Sequence, residues 1–181
     1  MVARSVKTAK LQIKGCGLEK GETITDVEAN FEDIERASQH HPLEDICSIS
    51  EYGPELIEDM ITFVKKLKMK LWVWPDWIDQ YRQSDPKRIR LIARVDSQLV
   101  ACIDSMISPN GMAGINYISV LHDHRHRGIG SVLVREAAKL LKQRGAKSMF
   151  AGWVPRSFYE ANGWRLKREY IGMTGQLSEL S

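Results

Sequence analysis

The chain has 181 residues, 43% of them hydrophobic and 27% charged, with 13 glycines and 6 prolines. These are the proportions of an ordinary globular protein rather than a collagen-like or disordered one. A net charge of +3, from 26 basic and 23 acidic residues, is too mild to argue nucleic-acid binding, and no stretch approaches the ~18–20 consecutive apolar residues of a membrane helix.

The length predicts one domain, or a domain plus an arm. The basic N-terminus has no apolar run behind it, so a secretory signal is not expected. Cys16, Cys47 and Cys102 are odd in number and widely spaced. They support neither a disulfide framework nor a zinc knuckle, and a reducing cytoplasm is the expected setting.

Residues 1–44 read as an irregular N-terminal arm. Lys10-Leu-Gln-Ile-Lys14 alternates polar and apolar residues, which predicts a short strand. Thr25-Asp-Val-Glu28 has the Thr-x-x-Glu spacing of a capping box, and Val27, Phe31 and Ile34 follow at helical spacing, predicting a short acidic amphipathic helix. From Ile46 onward the pattern is regular. Ile46-Cys-Ser-Ile49 predicts a strand, and Gly53-Pro54-Glu55 opens a helix with proline in its first turn. Leu71-Trp-Val-Trp-Pro75 breaks that helix, and a second runs to Tyr81. Arg88–Val95, Leu99–Ile103 and Gly114–Leu121 predict a three-stranded meander with turns at Asp96-Ser97 and Pro109-Asn-Gly111. A long helix through Arg144, a buried strand at 148–151, a short helix at 155–161 and a last strand at 166–171 complete the order.

The segment Val120-Leu-His-Asp-His-Arg-His-Arg-Gly128-Ile-Gly130-Ser131 joins a strand to the long helix. The first N–H groups of a helix lack internal acceptors and carry about half a positive charge. Glycines let the backbone approach a ligand closely, and Arg125 and Arg127 add forked donors suited to phosphate. The chemistry is that of a phosphate or pyrophosphate cradle. It is neither of the two familiar ones. A Walker A loop needs Gly-Lys-Ser/Thr where this chain has Gly130-Ser131-Val132, and a dinucleotide fingerprint needs a third glycine where it has Leu133.

Arg125-His-Arg-Gly128-Ile-Gly130 resembles the Arg/Gln-x-x-Gly-x-Gly/Ala signature of the GNAT superfamily of acyl-CoA-dependent N-acetyltransferases. Phe158-Tyr-Glu-Ala-Asn-Gly-Trp164 is similar to that family's Phe-Tyr-Glu-x-x-Gly-Phe segment, and the two motifs come in the family's order. The resemblance covers roughly residues 45–172. It implies an α/β fold with a mixed, mostly antiparallel central sheet flanked by helices, an acetyltransferase domain over residues 45–181, and acetyl-CoA as co-substrate with no metal. It also implies that Ile118, Ser119 and Val120 offer backbone groups to the pantetheine arm. The loop Arg125, His126, Arg127, Gly128, Ile129, Gly130 and Ser131 would hold the pyrophosphate, and Tyr159 would protonate the departing thiolate. The partner would be an amine, small molecule or peptide, with a homodimer as a further arrangement.

The chain departs from the family's pattern at three places. His122 stands where the family often has proline, and Gly152 where it often has asparagine. After Trp164 only 17 residues remain, enough for one strand where the family usually closes with two; the N-terminal arm or another subunit could supply the second. A general base is also missing from its usual strand, since Gly114–Leu121 contains no acidic residue. Glu51, Asp104 and His122 are the remaining candidates, and Asn116, Tyr117 and Ser119 could organise water instead. His122, His124 and His126 alternate, but Asp123 alone accompanies them, so phosphate-facing or solvated roles are expected rather than a metal site. Trp72, Trp74 and Trp77 crowd the region that overlies the acceptor in the resembled family, where they would suit an apolar pocket or a cation–π contact. The absent strand glutamate leaves one alternative from another class: a non-catalytic acyl-CoA-binding regulatory or assembly module.

Overall fold

The computed structural model of the chain describes residues 19–38, 46–67, 74–154 and 156–174. In chain order the elements are β1 (Glu19–Ala29), α1 (Phe31–Ser38), β2 (Ser48–Glu51), a 3-10 turn (Pro54–Leu56) running into α2 (Ile57–Lys66), and α3 (Trp74–Tyr81). They continue with β3 (Arg88–Val95), β4 (Gln98–Ile107), β5 (Met112–Val120), a 3-10 turn (His122–His124), α4 (Ile129–Gln143), β6 (Ser148–Val154), α5 (Arg156–Glu160) and β7 (Arg165–Thr174). The seven strands form one sheet in the order β2-β3-β4-β5-β6-β1-β7. Every pairing is antiparallel except that of β5 with β6. This is the mixed, mostly antiparallel sheet that the motifs implied.

The core follows from the apolar pattern of the middle strands. Residues 89–93 and 99–105 are buried without interruption, as expected of strands covered on both faces. Helix α4 packs on β3, β4 and β5, and α2 packs on β4. Helix α4 turns Ile129, Leu133, Val134, Ala137 and Leu141 inward, the i, i+4 spacing of an amphipathic helix. Helix α1 lies against α4, with Phe31 and Ile34 buried and Glu35 accepting from Lys142 Nζ at 3.0 Å.

Within the stretch read as an arm, the capping box does not form. Thr25 and Glu28 lie inside β1, where Thr25, Val27 and Ala29 are buried and β1 is paired on both sides, to β6 and β7. A central strand satisfies the backbone groups that a helix would otherwise have claimed. The helix starts later, with Ile34 N–H donating to Asn30 O at 3.4 Å, so Val27 belongs to the strand and only Phe31 and Ile34 to the helical face. The strand expected at residues 10–14 lies outside the described residues. Strand β1 enters the sheet between β6 and β7, so the N-terminal segment supplies a strand of the same sheet.

Candidate active site

The parallel pair holds only in part. Register between β5 and β6 runs from Met112↔Ser148 to Ile115↔Ala151. Beyond that point β5 stays with β4, as far as Ala101↔Val120, while β6 stays with β1, to Thr25↔Val154. The two strands therefore part company and leave a cleft between them. Asn116 marks the parting: the register of β4 with β5 slips between Asp104↔Tyr117 and Ser105↔Ile115, which makes Asn116 the extra residue of a β-bulge. Bulges bend a strand and re-aim its side chains.

A cavity of about 790 Å³ fills the cleft. Ile118, Ser119, Val120, Arg125, His126, Gly128, Ile129, Gly130, Ser131 and Tyr159 all line it. Arg127 is the predicted ligand residue that does not; it is exposed, and its guanidinium stands 3.4 Å from His124 Nδ1. Among the further wall residues, not expected from the motifs to hold the cofactor, are His124 and Phe158. Phe158 adjoins Tyr159 in the second motif, the one signal that could have found it.

The amide cradle is built by backbone geometry. Leu121 N–H returns to Val100 O at 2.9 Å, and a single 3-10 turn absorbs the N–H groups of His124 and Arg125. His126 and Gly128 then adopt left-handed conformations, with φ of 58° and 83°. The glycine takes this conformation freely, whereas a β-carbon makes it cost roughly 1–2 kcal/mol at a residue such as His126. Alternating backbone conformations of this kind turn successive N–H groups toward one point, where an anion can sit. Ile129, Gly130 and Ser131 occupy the first turn of α4, which holds no acidic residue, and their N–H groups have no intrahelical acceptor. Arg125 fastens the loop to the strand by donating from Nε to Val120 O at 3.0 Å. Gly130 has a packing role: a β-carbon there would meet the Phe158 ring at 3.2 Å.

Tyr159 sits on α5 with its ring edge-on to Phe158 and Trp164, at centroid distances of 5.1 and 5.0 Å. It is 1% exposed, and among the described residues its hydroxyl has no hydrogen-bond partner. Burial pushes its pKa up to about 12, so the phenol stays protonated near neutrality. A buried hydroxyl without a partner costs on the order of 1–3 kcal/mol, a cost that a ligand atom in the cavity would remove.

The three base candidates stand elsewhere. Glu51 is exposed and pairs with Arg144 at 3.1 Å. His122 is 89% exposed beside Asp123. Asp104 is buried but committed, accepting from Arg90 Nε at 2.8 Å, Arg88 at 3.2 Å and Asn116 Nδ2 at 2.9 Å. That last bond orients the amide of Asn116, which lines the cavity with Tyr117 and Ser119. Tyr117 is itself held protonated by burial. Among the described residues no group of three or more His, Cys, Asp or Glu is placed to hold a metal ion. Trp72 lies outside the described residues, as do the side chains of Trp74 and Trp77, whose backbone falls in α3.

Across this ground the profile of the acetyltransferase (GNAT) family matches residues 53–164, well over half of the chain. The chain belongs to the GNAT acetyltransferase family. Over 81 residues it is 26% identical to the uncharacterized N-acetyltransferase CT2212 of Chlorobaculum tepidum, a match covering 44% of this chain and 52% of that relative. The chain therefore spans about half the length of this curated relative. Its fold is similar to the GCN5-related glucosamine N-acetyltransferase region of a fungal multi-domain GH3 β-N-acetylglucosaminidase. There the TM-score is 0.68 at 18% identity, over 96% of this chain and 23% of that one. It is also similar to the aminoglycoside acetyltransferase meta-AAC0020 from an uncultured soil metagenomic sample, with a TM-score of 0.54 at 15% identity, over 65% and 84% of the two chains. The matched family segment lies wholly inside the 45–181 region and contains both motifs.

Proposed function

We propose that this GNAT protein is an enzyme that moves an acetyl group from acetyl-CoA to a primary amine by direct attack in a ternary complex. The observation that carries the reading is the cleft itself: at one end a fan of helix-terminal amides, and in the wall of the same cavity a tyrosine whose buried hydroxyl has no partner among the described residues. The site fits the coenzyme by its chemistry. The first turn of α4, free of acidic side chains, suits a diphosphate. The unpaired edge of β5 beyond Ile115 suits an extended arm that bonds to backbone groups.

In this reading the N–H groups of residues 126–131 hold the pyrophosphate, and residues 118–120 fix the pantetheine along β5. Backbone amides of β5 near the bulge polarise the thioester carbonyl, as oriented donors do for developing negative charge. Tyr159, kept protonated by burial, donates its proton to sulfur as the thiolate leaves. Attack needs a neutral amine, and Asn116, Tyr117 and Ser119 order the water that carries its proton away. Trp74 and Trp77, on α3, stand as residues of the acceptor side. Among the described residues no helix is long and apolar enough to cross a membrane, and free Cys47 and Cys102 suit a reducing cytoplasm.

One observation favours the rival, a non-catalytic acyl-CoA-binding module: among the described residues no carboxylate lines the cavity. Initial rates of thiol release, with acetyl-CoA and a panel of primary amines both varied, separate the two. Intersecting double-reciprocal lines support the enzyme. Tight coenzyme binding with no turnover on any amine supports the module, and no coenzyme binding at all overturns both.

A further inference from the structure

A second pocket, of about 290 Å³, lies apart from the cleft and shares no lining residue with it. Its volume is near the lower end of small-molecule sites. It forms where the edge strand β2, the chain between α3 and β3, and the C-terminal end of α4 meet. Among the described residues its charged lining is Arg88, Arg90, Arg144, Glu51 and Asp85. These charges are layered by depth. The side chains of Arg90, Arg88 and Arg144 are 8, 21 and 35% exposed, those of Asp85 and Glu51 39 and 56%. Guanidiniums make the floor and carboxylates the rim.

Every one of these charges already has a partner. Asp104, behind the floor, accepts from Arg90 Nε at 2.8 Å and from Arg88 at 3.2 Å. Arg90 also donates to Gln83 O at 3.0 Å. At the rim Arg88 meets Asp85 at 3.6 Å and Arg144 meets Glu51 at 3.1 Å. With Asp104 counted, three cations balance three carboxylates, so a bare anion entering the pocket would strip the rim acids of their partners, and a bare cation would strip the arginines. A zwitterion does neither. Its carboxylate takes the Arg88 and Arg144 guanidiniums, whose forked donors match it, while its ammonium takes Asp85 and Glu51, and every charge keeps a partner. Exchanging rim pairs of this kind costs little, because they are solvated and weak. Each rim carboxylate stands within 3.6 Å of its guanidinium, so the ligand's two charges must also lie close together, as they do about the α-carbon of an amino acid.

The floor reaches the cleft through one carboxylate. Asp104 Oδ1 accepts from Asn116 Nδ2 at 2.9 Å, and Asn116 lines the cavity. Arg88 makes the longer of the two guanidinium contacts to Asp104. Drawn toward a ligand, it leaves Asp104 with fewer competing donors and a firmer hold on Asn116.

We propose that this pocket binds a free α-amino acid, and that its occupation raises turnover in the cleft through Asp104 and Asn116. The effect on turnover rests on the acetyltransferase reading; the binding site does not.

The full chain, with coenzyme A at saturation, is titrated by calorimetry with each coded L-amino acid. For the tightest binder, the matching decarboxylated amine and deaminated acid serve as single-charge controls. The amino acid should bind at least about tenfold more tightly than either control, the effect of one well-placed charge pair. Arg144→Gln and Asp85→Asn lie outside the cleft, and each should weaken binding about tenfold while acetyl-CoA affinity stays within about twofold. Two variants cover the case in which one does not fold. With acetyl-CoA and an amine acceptor at saturation, the same amino acid should raise kcat about fivefold, a modest coupling between sites, and the rise should be absent in Asn116→Ala. No amino acid binding above its controls, or binding unchanged in either folded variant, overturns the site. Binding without a change in kcat overturns the coupling. A wild-type chain that turns over no amine overturns the acetyltransferase reading instead, and the calorimetry still decides the site.

Discussion

Gly130, in the first turn of α4, lies against the ring of Phe158, so that a β-carbon on the glycine would stand 3.2 Å from Cε2. The contact ties the amide cradle to α5, the short helix that carries Tyr159. Gly130→Val places a branched side chain against that ring, and overpacking of this kind costs roughly 1–3 kcal/mol. The variant is expected to lose that much stability in urea denaturation. Its acetyl-CoA affinity should fall at least about tenfold by calorimetry, because the helix terminus must back away from the cavity.

Tyr159→Phe separates an acid from a packing residue. The ring contacts with Phe158 and Trp164 survive, and the deleted hydroxyl had no partner among the described residues. Stability should therefore be unchanged or slightly increased, by up to about 1 kcal/mol. Acetyl-CoA affinity should stay within about threefold while kcat falls by a factor on the order of 100. Equal kcat in the two proteins would remove the phenol from the mechanism.

Burial raises the pKa of Tyr159, and of Tyr52, to about 12, against about 10 for an unfolded tyrosine. The sign follows from linkage. Between about pH 10 and about 12 the unfolded chain has lost these protons while the folded chain still holds them. The stabilisation is complete below the unfolded value and drains away as pH rises through the folded one. Denaturation midpoints should fall over that window, and the fall should be shallower in Tyr159→Phe. In the neutral range activity should show no alkaline limb from this phenol.

Asp104 is expected to act on stability, not on coenzyme binding. It balances Arg88 and Arg90, and Arg90 is only 8% exposed, stacked 4.4 Å over the Tyr81 ring. Asp104→Ala leaves a buried guanidinium without its counter-charge, which costs on the order of 3–5 kcal/mol. Thermal denaturation should show the loss. In the milder Asp104→Asn, acetyl-CoA affinity should be retained and kcat reduced, because Asn116 loses the charged acceptor that orients it.

Much of the site was legible in the chain because its parts are local. A helix terminus, two glycines and flanking basic residues fall within residues 125–131, a pattern suited to an anion, and all but Arg127 line the cavity. Tyr159 sits where the second motif put it. The readings that moved were those in which a short pattern had two outcomes. Thr25-x-x-Glu28 satisfies a capping rule, yet the same residues alternate buried and polar, and pairing on both edges by β6 and β7 decided for the strand. Asp104 could be read as a base by residue type; only the arrival of Arg88, Arg90 and Asn116 around it shows a charge already spent on the fold.

The sequence by itself determined the order of the elements from β2 onward, the amide cradle and the tyrosine beside it, since these depend on residues close together in the chain and on apolar periodicity. Tertiary structure decided where the N-terminal strand goes. Insertion of β1 between β6 and β7 depends on hydrogen bonds between residues more than a hundred positions apart, such as Thr25 Oγ1 donating to Val154 O at 2.9 Å. No spacing rule along the chain encodes such a pairing. It forms because two strand edges would otherwise be left without partners.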